Sequence, residues 1–353
     1  MKKYFLLLIL STTVLFAQKP SADSRYKEVA GNYGSSDGIC LFDDGTFMLY
    51  GYATIVFGSY NFEKDYMNFY PDKQELFMIY AAHNPEIGNS ARLFFNGFGR
   101  DKTVIQFDEE KPRPVFNEDA NCFDSPYIFE SNKKPSVIRL SDFQDEKWQQ
   151  LKFMIPKAYN DFAIFYNQPS IYEENFSGTV RKEDHTAVLN ISLVSRDFKK
   201  NRADKNDSNW EEILQMKSEY DLTKKKDGKT MFFNKHYNMF PVPDSSAYRF
   251  DEKSNRFITK NPENNDAYYR DNPYQDNRSI RKYGKLESES GVDFSADVKN
   301  ISSESLFFTV CGEGSEKSYH YKGLNNYNDK SETRQLQQTA PLKPMAPPAP
   351  LSK

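Results

Sequence analysis

Apolar and polar residues trade places in short runs along most of this chain. Between residues 24 and 140 candidate strands fall at 39–42, 46–50, 58–62, 66–70, 76–81, 92–96 and 103–107. Runs of this length, repeating about every ten residues, are what antiparallel sheets joined by tight turns produce. Asp43-Asp44-Gly45 separates the first two runs, and Asp-Gly supplies the positive φ angle of a hairpin turn. Similar runs return at 161–166, 176–181 and 186–194. In the last, Val188, Asn190, Ser192 and Val194 oppose Ala187, Leu189, Ile191 and Leu193. Later candidates are 230–233, 248–250, 256–258, 292–294 and 306–310, with Gly312 to Gly314 turning the chain into a closing strand at 318–321.

Two stretches have helical spacing instead. Over 141–155, Ser141 and Gln144 are placed as a capping box, and Phe143, Trp148 and Leu151 form an apolar stripe. From Ser208 to about Glu219, Trp210, Ile213, Leu214 and Lys217 share one face at i, i+3, i+4 and i+7. Residues 259–285 are polar and read as a long loop. The predicted fold is therefore mostly β, an antiparallel sandwich or barrel-like domains with two accessory helices. The organisation expected is a leader at 1–17, a β domain at 24–140, and a second β-rich domain with helices at 141–323. A disordered Pro-rich tail follows at 324–353.

The leader carries Lys2 and Lys3, then an apolar stretch ending near Phe16, then Ala17 before Gln18. Positive charge, apolar core and small residue in that order form a secretory signal, and the core is too short to span a bilayer. The chain is thus expected to be exported to the periplasm or cell envelope of a bacterium.

Composition sharpens this picture. The 353 residues include 29 Phe and 23 Tyr against 2 Trp, so aromatic rings must supply much of the core, and such rings favour pleated surfaces. A net charge of −3 gives no basic face for phosphate contacts, so no nucleic-acid partner is expected. Mean hydropathy of −0.78 and no second long apolar run argue against a membrane span in the mature chain.

The segments Gly31 to Tyr33, Asp44 to Phe47, Gly58 to Tyr60 and Phe69 to Pro71 follow an order that resembles lipocalin-like secreted bacterial β-barrel domains. The likeness covers residues 30–110 and lacks the early Gly-x-Trp of that pattern, since no Trp precedes Trp148. It implies an antiparallel barrel or sandwich and no particular ligand.

Recognisable catalytic chemistry is missing from the sequence. His83, His185, His236 and His320 are scattered, and no H-E-x-x-H or Cys/His zinc spacing occurs, so no metal or cofactor is expected. Neither a G-x-S-x-G elbow nor a phosphate loop ahead of a helix is present. Acidic doublets such as Glu109-Glu110 point apart on any regular element. Three cysteines in an oxidising compartment leave at least one unpaired, and Cys40 with Cys122 is favoured slightly ahead of Cys122 with Cys311 or of no bridge. Tyr268, Tyr269, Arg270 and Tyr274 gather in a polar loop whose composition is that of adaptable recognition surfaces. These four are the candidate binding residues. A non-catalytic binding or interaction protein of the envelope follows, its partner an envelope protein or glycan. The alternatives are a hydrolase acting on envelope polymers and a small-ligand-binding barrel.

Overall fold

The computed structural model describes residues 23–52, 54–99, 102–124, 126–144, 147–194, 196–201, 208–225, 228–261, 266–290 and 301–321. The leader at 1–17, the 292–294 run and the tail at 324–353 lie outside them. The chain forms two compact units, one from residues 1–73 and 170–222, the other from 74–169 and 223–353.

It begins in the first unit with α1 (Ser24–Val29), β1 (Gly31–Gly34), β2 (Gly38–Leu41), β3 (Thr46–Gly51), β4 (Thr54–Glu63) and β5 (Tyr66–Pro71). The second unit takes β6 (Phe77–Ala82), β7 (Ala91–Asn96), β8 (Thr103–Phe107), β9 (Arg113–Pro114) and β10 (Tyr127–Ser131). It also takes β11 (Val137–Gln144), β12 (Lys147–Met154) and β13 (Asp161–Tyr166). The first unit is completed by β14 (Phe176–Glu183), β15 (Thr186–Ile191), β16 (Arg196–Lys199) and α2 (Ser208–Lys225). The second closes with β17 (Thr230–Phe233), β18 (Met239–Phe240), β19 (Tyr248–Asp251), β20 (Arg256–Thr259), α3 (Asp266–Asp271), β21 (Ser279–Lys285) and β22 (Ser288–Ser290). Every strand expected before residue 110 is present.

In the first unit eight antiparallel strands follow the order β1-β2-β3-β4-β5-β14-β15-β16. A bridge between Tyr33 and Lys200 brings the two edges together, and the Asn201 N–H donates to the Asn32 carbonyl at 2.8 Å. The result is a nearly closed barrel, which removes most of the unpaired edge. Its interior is filled with side chains. Phe47, Phe69 and Phe176 meet ring to ring, the last two stacked at 4.5 Å, among buried Tyr33, Leu41, Leu189 and Ile191. Gly58 is required here, because a Cβ would lie 2.4 Å from the Tyr70 carbonyl oxygen. Tyr26 of α1 packs against Tyr60 and Phe62. On the outer face of the barrel α2 buries Ile213 over Cys40, Phe42 and Met48, while Trp210 stacks on Phe42 and Tyr220 on Phe57. Trp210 is thus a packing residue, and Leu214, placed on the same face by the sequence, is 46% exposed.

The second unit packs a large sheet, β10-β7-β13-β6-β21-β17-β18, against a smaller one, β22-β12-β11-β8-β9. The pair β7 and β13 is parallel, an exception among otherwise antiparallel ladders. One apolar cluster, with Phe95, Ile105, Leu140, Phe153, Phe162 and Phe307, involves residues of both sheets. A second holds Tyr80, Phe94, Ala163, Phe233, Tyr237 and Tyr283.

Four expectations are corrected here. Residues 141–155 are strands of the β11–β12 hairpin, with Phe143 opposite Trp148. The period-two set Ile138, Leu140, Leu151, Phe153 and Ile155, buried or packed on the core, outcompetes the helical stripe. The 259–285 loop holds α3 and β21, and β21 lies inside the large sheet. The closing strand at 318–321 is absent, since Ser315–Lys317 forms a 3-10 turn instead. The Cys40–Cys122 bridge is also replaced: Cys122 bonds Cys311 and Cys40 is buried and free. Residues 307–311 run beside 116–122, through a parallel bridge between Phe116 and Phe307 and a Cys311 N–H bond to Asn121 Oδ1 at 2.7 Å. That pairing sets the two sulfurs together across a separation of 189 residues, a contact that cysteine spacing has no means of ranking. Burial pushes the Cys40 thiol up to about 12, which makes it unreactive.

Candidate functional site

The site begins with a buried carboxylate. Asp161 opens β13 and is 1% exposed. Its Oδ1 accepts the Tyr237 hydroxyl at 2.5 Å, and its Oδ2 accepts Asn84 Nδ2 at 2.6 Å. Arg281 of β21, itself buried, approaches Oδ2 at 3.4 Å. Burial raises the Tyr237 and Tyr283 hydroxyl pKa values well above their ordinary range, so both remain protonated donors. Asn160 braces the same region through bonds to the Asn84 and Gly88 carbonyls at 2.9 and 3.0 Å.

Tyr237 belongs to a turn at 234–238 and has φ of +59°, a conformation that bulky residues seldom adopt unless something holds them. The Asp161 bond is one restraint, and Asn234 supplies the others. Its Oδ1 accepts the backbone N–H groups of His236 and Asn238 at 2.9 and 3.1 Å. Its Nδ2 donates to the carbonyls of Tyr274 and Asp276 at 2.9 and 3.1 Å. A single buried amide therefore joins the turn after β17 to the turn before β21.

These two turns and the end of β7 enclose a cleft of about 500 Å³. Tyr274, His236, Asn238, Asn96, Phe98 and Phe123 are among the residues lining it. Gly97 lets the chain turn here: its φ is +82°, and a Cβ would meet the Tyr166 carbonyl oxygen at 2.1 Å. Phe123 is 41% exposed and meets Phe116 edge-on at 5.2 Å. Among the described residues lining the cleft none is charged.

His236 gives the cleft its most distinctive polar group. Burial is the main cause that lowers its pKa to about 4, helped by the positive charges of Lys235 and Arg92 and opposed by Asp276. The ring is therefore neutral. Arg92 Nη2 donates to the Tyr321 hydroxyl at 3.1 Å, and that oxygen lies 3.1 Å from His236 Nδ1. The Tyr321 oxygen, already receiving from Arg92, either donates its proton to Nδ1 or accepts a second bond from an Nδ1–H, so Nε2 carries the proton in one tautomer and a lone pair in the other. Nε2 is shielded and has no hydrogen-bond partner among the described residues. A buried polar group left in this state costs about 1–3 kcal/mol.

The lowered pKa has a consequence for stability. Between about 6.5 and 4 the unfolded chain takes up this proton and the native protein does not. The contribution is present above the unfolded value and is lost as pH falls toward the folded one. Denaturant unfolding at pH 7 and pH 4 is expected to show a fall about 2 kcal/mol larger in the wild type than in His236→Asn. Equal falls in both proteins would remove His236 as the cause.

The four binding residues expected from the sequence part company. Tyr274 lines the cleft and lies 6.1 Å, ring to ring, from His236. Tyr269 lies under the Arg278 guanidinium at 4.4 Å and bonds Asn277. Tyr268 is 45% exposed, and exposed Arg270 pairs with Asp271 at 3.7 Å. Sequence reasoning missed Asn234, His236, Asn238 and Asn96. The available signal was the run Asn234-Lys235-His236-Tyr237-Asn238 between two apolar segments, turn chemistry with a histidine at its centre.

Two further hollows lie among the described residues. At the barrel mouth a cavity of about 760 Å³ is lined by Asp37, Gly51, Tyr52, Tyr172, Arg196 and Phe198, among others, and Arg196 pairs with Asp37 at 2.6 Å. An open groove of about 570 Å³ in the second unit is lined by Trp148, Glu75 and Glu287, among others. Both carboxylates there are exposed, and Glu75 pairs with Lys285. No family model matches the chain, and no curated protein or solved structure is significantly similar to it.

Proposed function

We propose that this chain is an exported, non-catalytic binding or interaction protein of the bacterial cell envelope, and that the cleft around Tyr274 and His236 is its binding site. The observation that carries the reading is the composition of the cleft walls: aromatic rings, two amides and a neutral imidazole, with no carboxylate among the described residues. Walls of that kind hold and orient a partner, whereas acid–base catalysis requires a titratable group poised near the working pH. Export is supported by the leader and by a cross-link of the sort that persists in oxidising compartments.

The other two readings have less behind them. A hydrolase would need two acids facing each other across a cleft; Glu75 and Glu287 line the Trp148 groove, but both are exposed and Glu75 is paired with Lys285. A barrel carrying a small ligand meets an interior already filled by Phe47, Phe69 and Phe176, which leaves only the mouth.

The test is co-sedimentation of the purified chain with washed envelope fragments. Wild-type protein is expected to sediment, and Tyr274→Ala to lose most of that binding while its unfolding midpoint changes little. Equal sedimentation of both proteins would remove the cleft as the binding site. Release of soluble fragments from the envelope by the wild type would favour the hydrolase.

A further inference from the structure

We infer that the cleft binds a short, uncharged saccharide. This rests on the binding reading above and names the ligand class of the same site.

Charge is the first argument. A charged ligand entering the cleft would give up hydration and meet no opposite charge on the described walls, an exchange that costs several kcal/mol. Of the two cations that act on the imidazole, Lys235 and Arg92, Arg92 is occupied by the Tyr321 hydroxyl, the Tyr237 ring at 5.3 Å and Glu130 at 3.6 Å.

Shape and surface are the second. The pyranose ring presents C–H groups on its faces and hydroxyls around its edge. A site for it needs flat apolar surfaces together with groups that both donate and accept hydrogen bonds. Phe123, 41% exposed, and partly exposed Tyr274 provide rings, and the Asn96 and Asn238 amides provide donors and acceptors. About 500 Å³ falls within the range of small-ligand sites.

The third argument is the unpaired Nε2 of His236, which a sugar hydroxyl, able both to donate and to accept, satisfies in either tautomer. Tyr274 stands 6.1 Å, ring to ring, from the imidazole on the same cleft wall. A ligand hydroxyl that reaches Nε2 would recover the free energy forfeited by the unpaired nitrogen. A neutral ring is needed for this pattern, and with a pKa of about 4 His236 stays neutral down to mildly acidic pH.

The experiment is calorimetric titration of the full chain at pH 7 with two neutral probes, the trisaccharide of N-acetylglucosamine and maltotriose. The trimer of galacturonic acid serves as a charged counterpart. At least one neutral probe is expected to bind, with affinity falling about tenfold or more in Tyr274→Ala and in Phe123→Ala. His236→Asn is expected to weaken the same probe, and the acidic trimer to bind more weakly than it. Failure of both neutral probes, unchanged affinity in Tyr274→Ala and Phe123→Ala, or preference for the acidic trimer would overturn the inference. The two proposals separate cleanly. Tyr274-dependent sedimentation with envelope fragments that neither neutral probe competes away would leave the binding site standing and the saccharide wrong. Sedimentation independent of Tyr274 would sink both.

Discussion

Asp161→Ala is expected to lower the unfolding free energy by about 3–5 kcal/mol, the range found when one partner of a buried ion pair is removed. The carboxylate is the acceptor for Tyr237 and Asn84 and the countercharge for Arg281, and all four residues are 5% exposed or less. Alanine would leave a guanidinium in the sheet interior, with Glu86 at 3.6 Å as its remaining carboxylate. It would also release the hydroxyl that holds Tyr237 at positive φ. Asp161→Asn should cost less, because an amide oxygen still accepts from Tyr237. The measurement is urea denaturation of the wild type and both variants. A loss under about 1 kcal/mol for the alanine variant would show that the cluster is not a structural centre. In Asp161→Ala the 234–238 turn should loosen as well, so binding in the cleft should fall with stability.

Breaking the Cys122–Cys311 bond is expected to cost about 3–5 kcal/mol. The cross-link closes 189 residues, and the entropy removed from the unfolded chain grows slowly with the length of such a loop. It also secures the segment from 301 to 311, whose Phe307 packs among Phe95, Phe116 and Tyr127. Chemical denaturation with and without reductant should show the loss in the wild type. Cys122→Ser with Cys311→Ser should show it without reductant and then respond no further. In the native protein the buried, weakly acidic Cys40 thiol offers no competing exchange reaction, and Cys40→Ser removes the exchange that unfolding would otherwise allow. Insensitivity of the wild-type midpoint to reductant, once thiol titration confirms that the bond is open, would contradict this account.

How far the sequence could be read depended on the kind of information each element carried. Strands such as β3, β5 and β8 are bounded by turn residues and rich in rings or branched side chains, so local chemistry was enough. The β11–β12 hairpin was misread because Ser141, Gln144, Trp148 and Leu151 satisfy helical spacing as well as they satisfy a strand. The decision between periods is made by the core, where Leu140 and Phe153 are buried. β21 was invisible for a related reason. Ser-Ile-Arg-Lys-Tyr-Gly-Lys reads as a polar loop until Asp161 appears as the partner that allows Arg281 inside.

The candidate site was legible only in part. Tyr274 stood out by composition, but so did Tyr268, Tyr269 and Arg270, and nothing local separates a ring that lines a cleft from one that covers an arginine. His236 had only the local signal of a turn-like run around it and otherwise read as one of four scattered histidines. Its role depends on Arg92, Tyr321 and Asn234, which lie 144 residues before it, 85 residues after it and two residues before it.

By itself the sequence determined the β-rich class, the aromatic core, most strand positions and the α2 helix, since each is set by side-chain pattern and turn chemistry within about a dozen residues. The tertiary structure alone decided the interleaving of the two units, the pairing of Cys122 with Cys311, the burial of Arg281 against Asp161 and the cleft around His236. All of these are contacts between distant stretches. Their free energy depends on which groups meet after folding, and short-range periodicity holds no record of that.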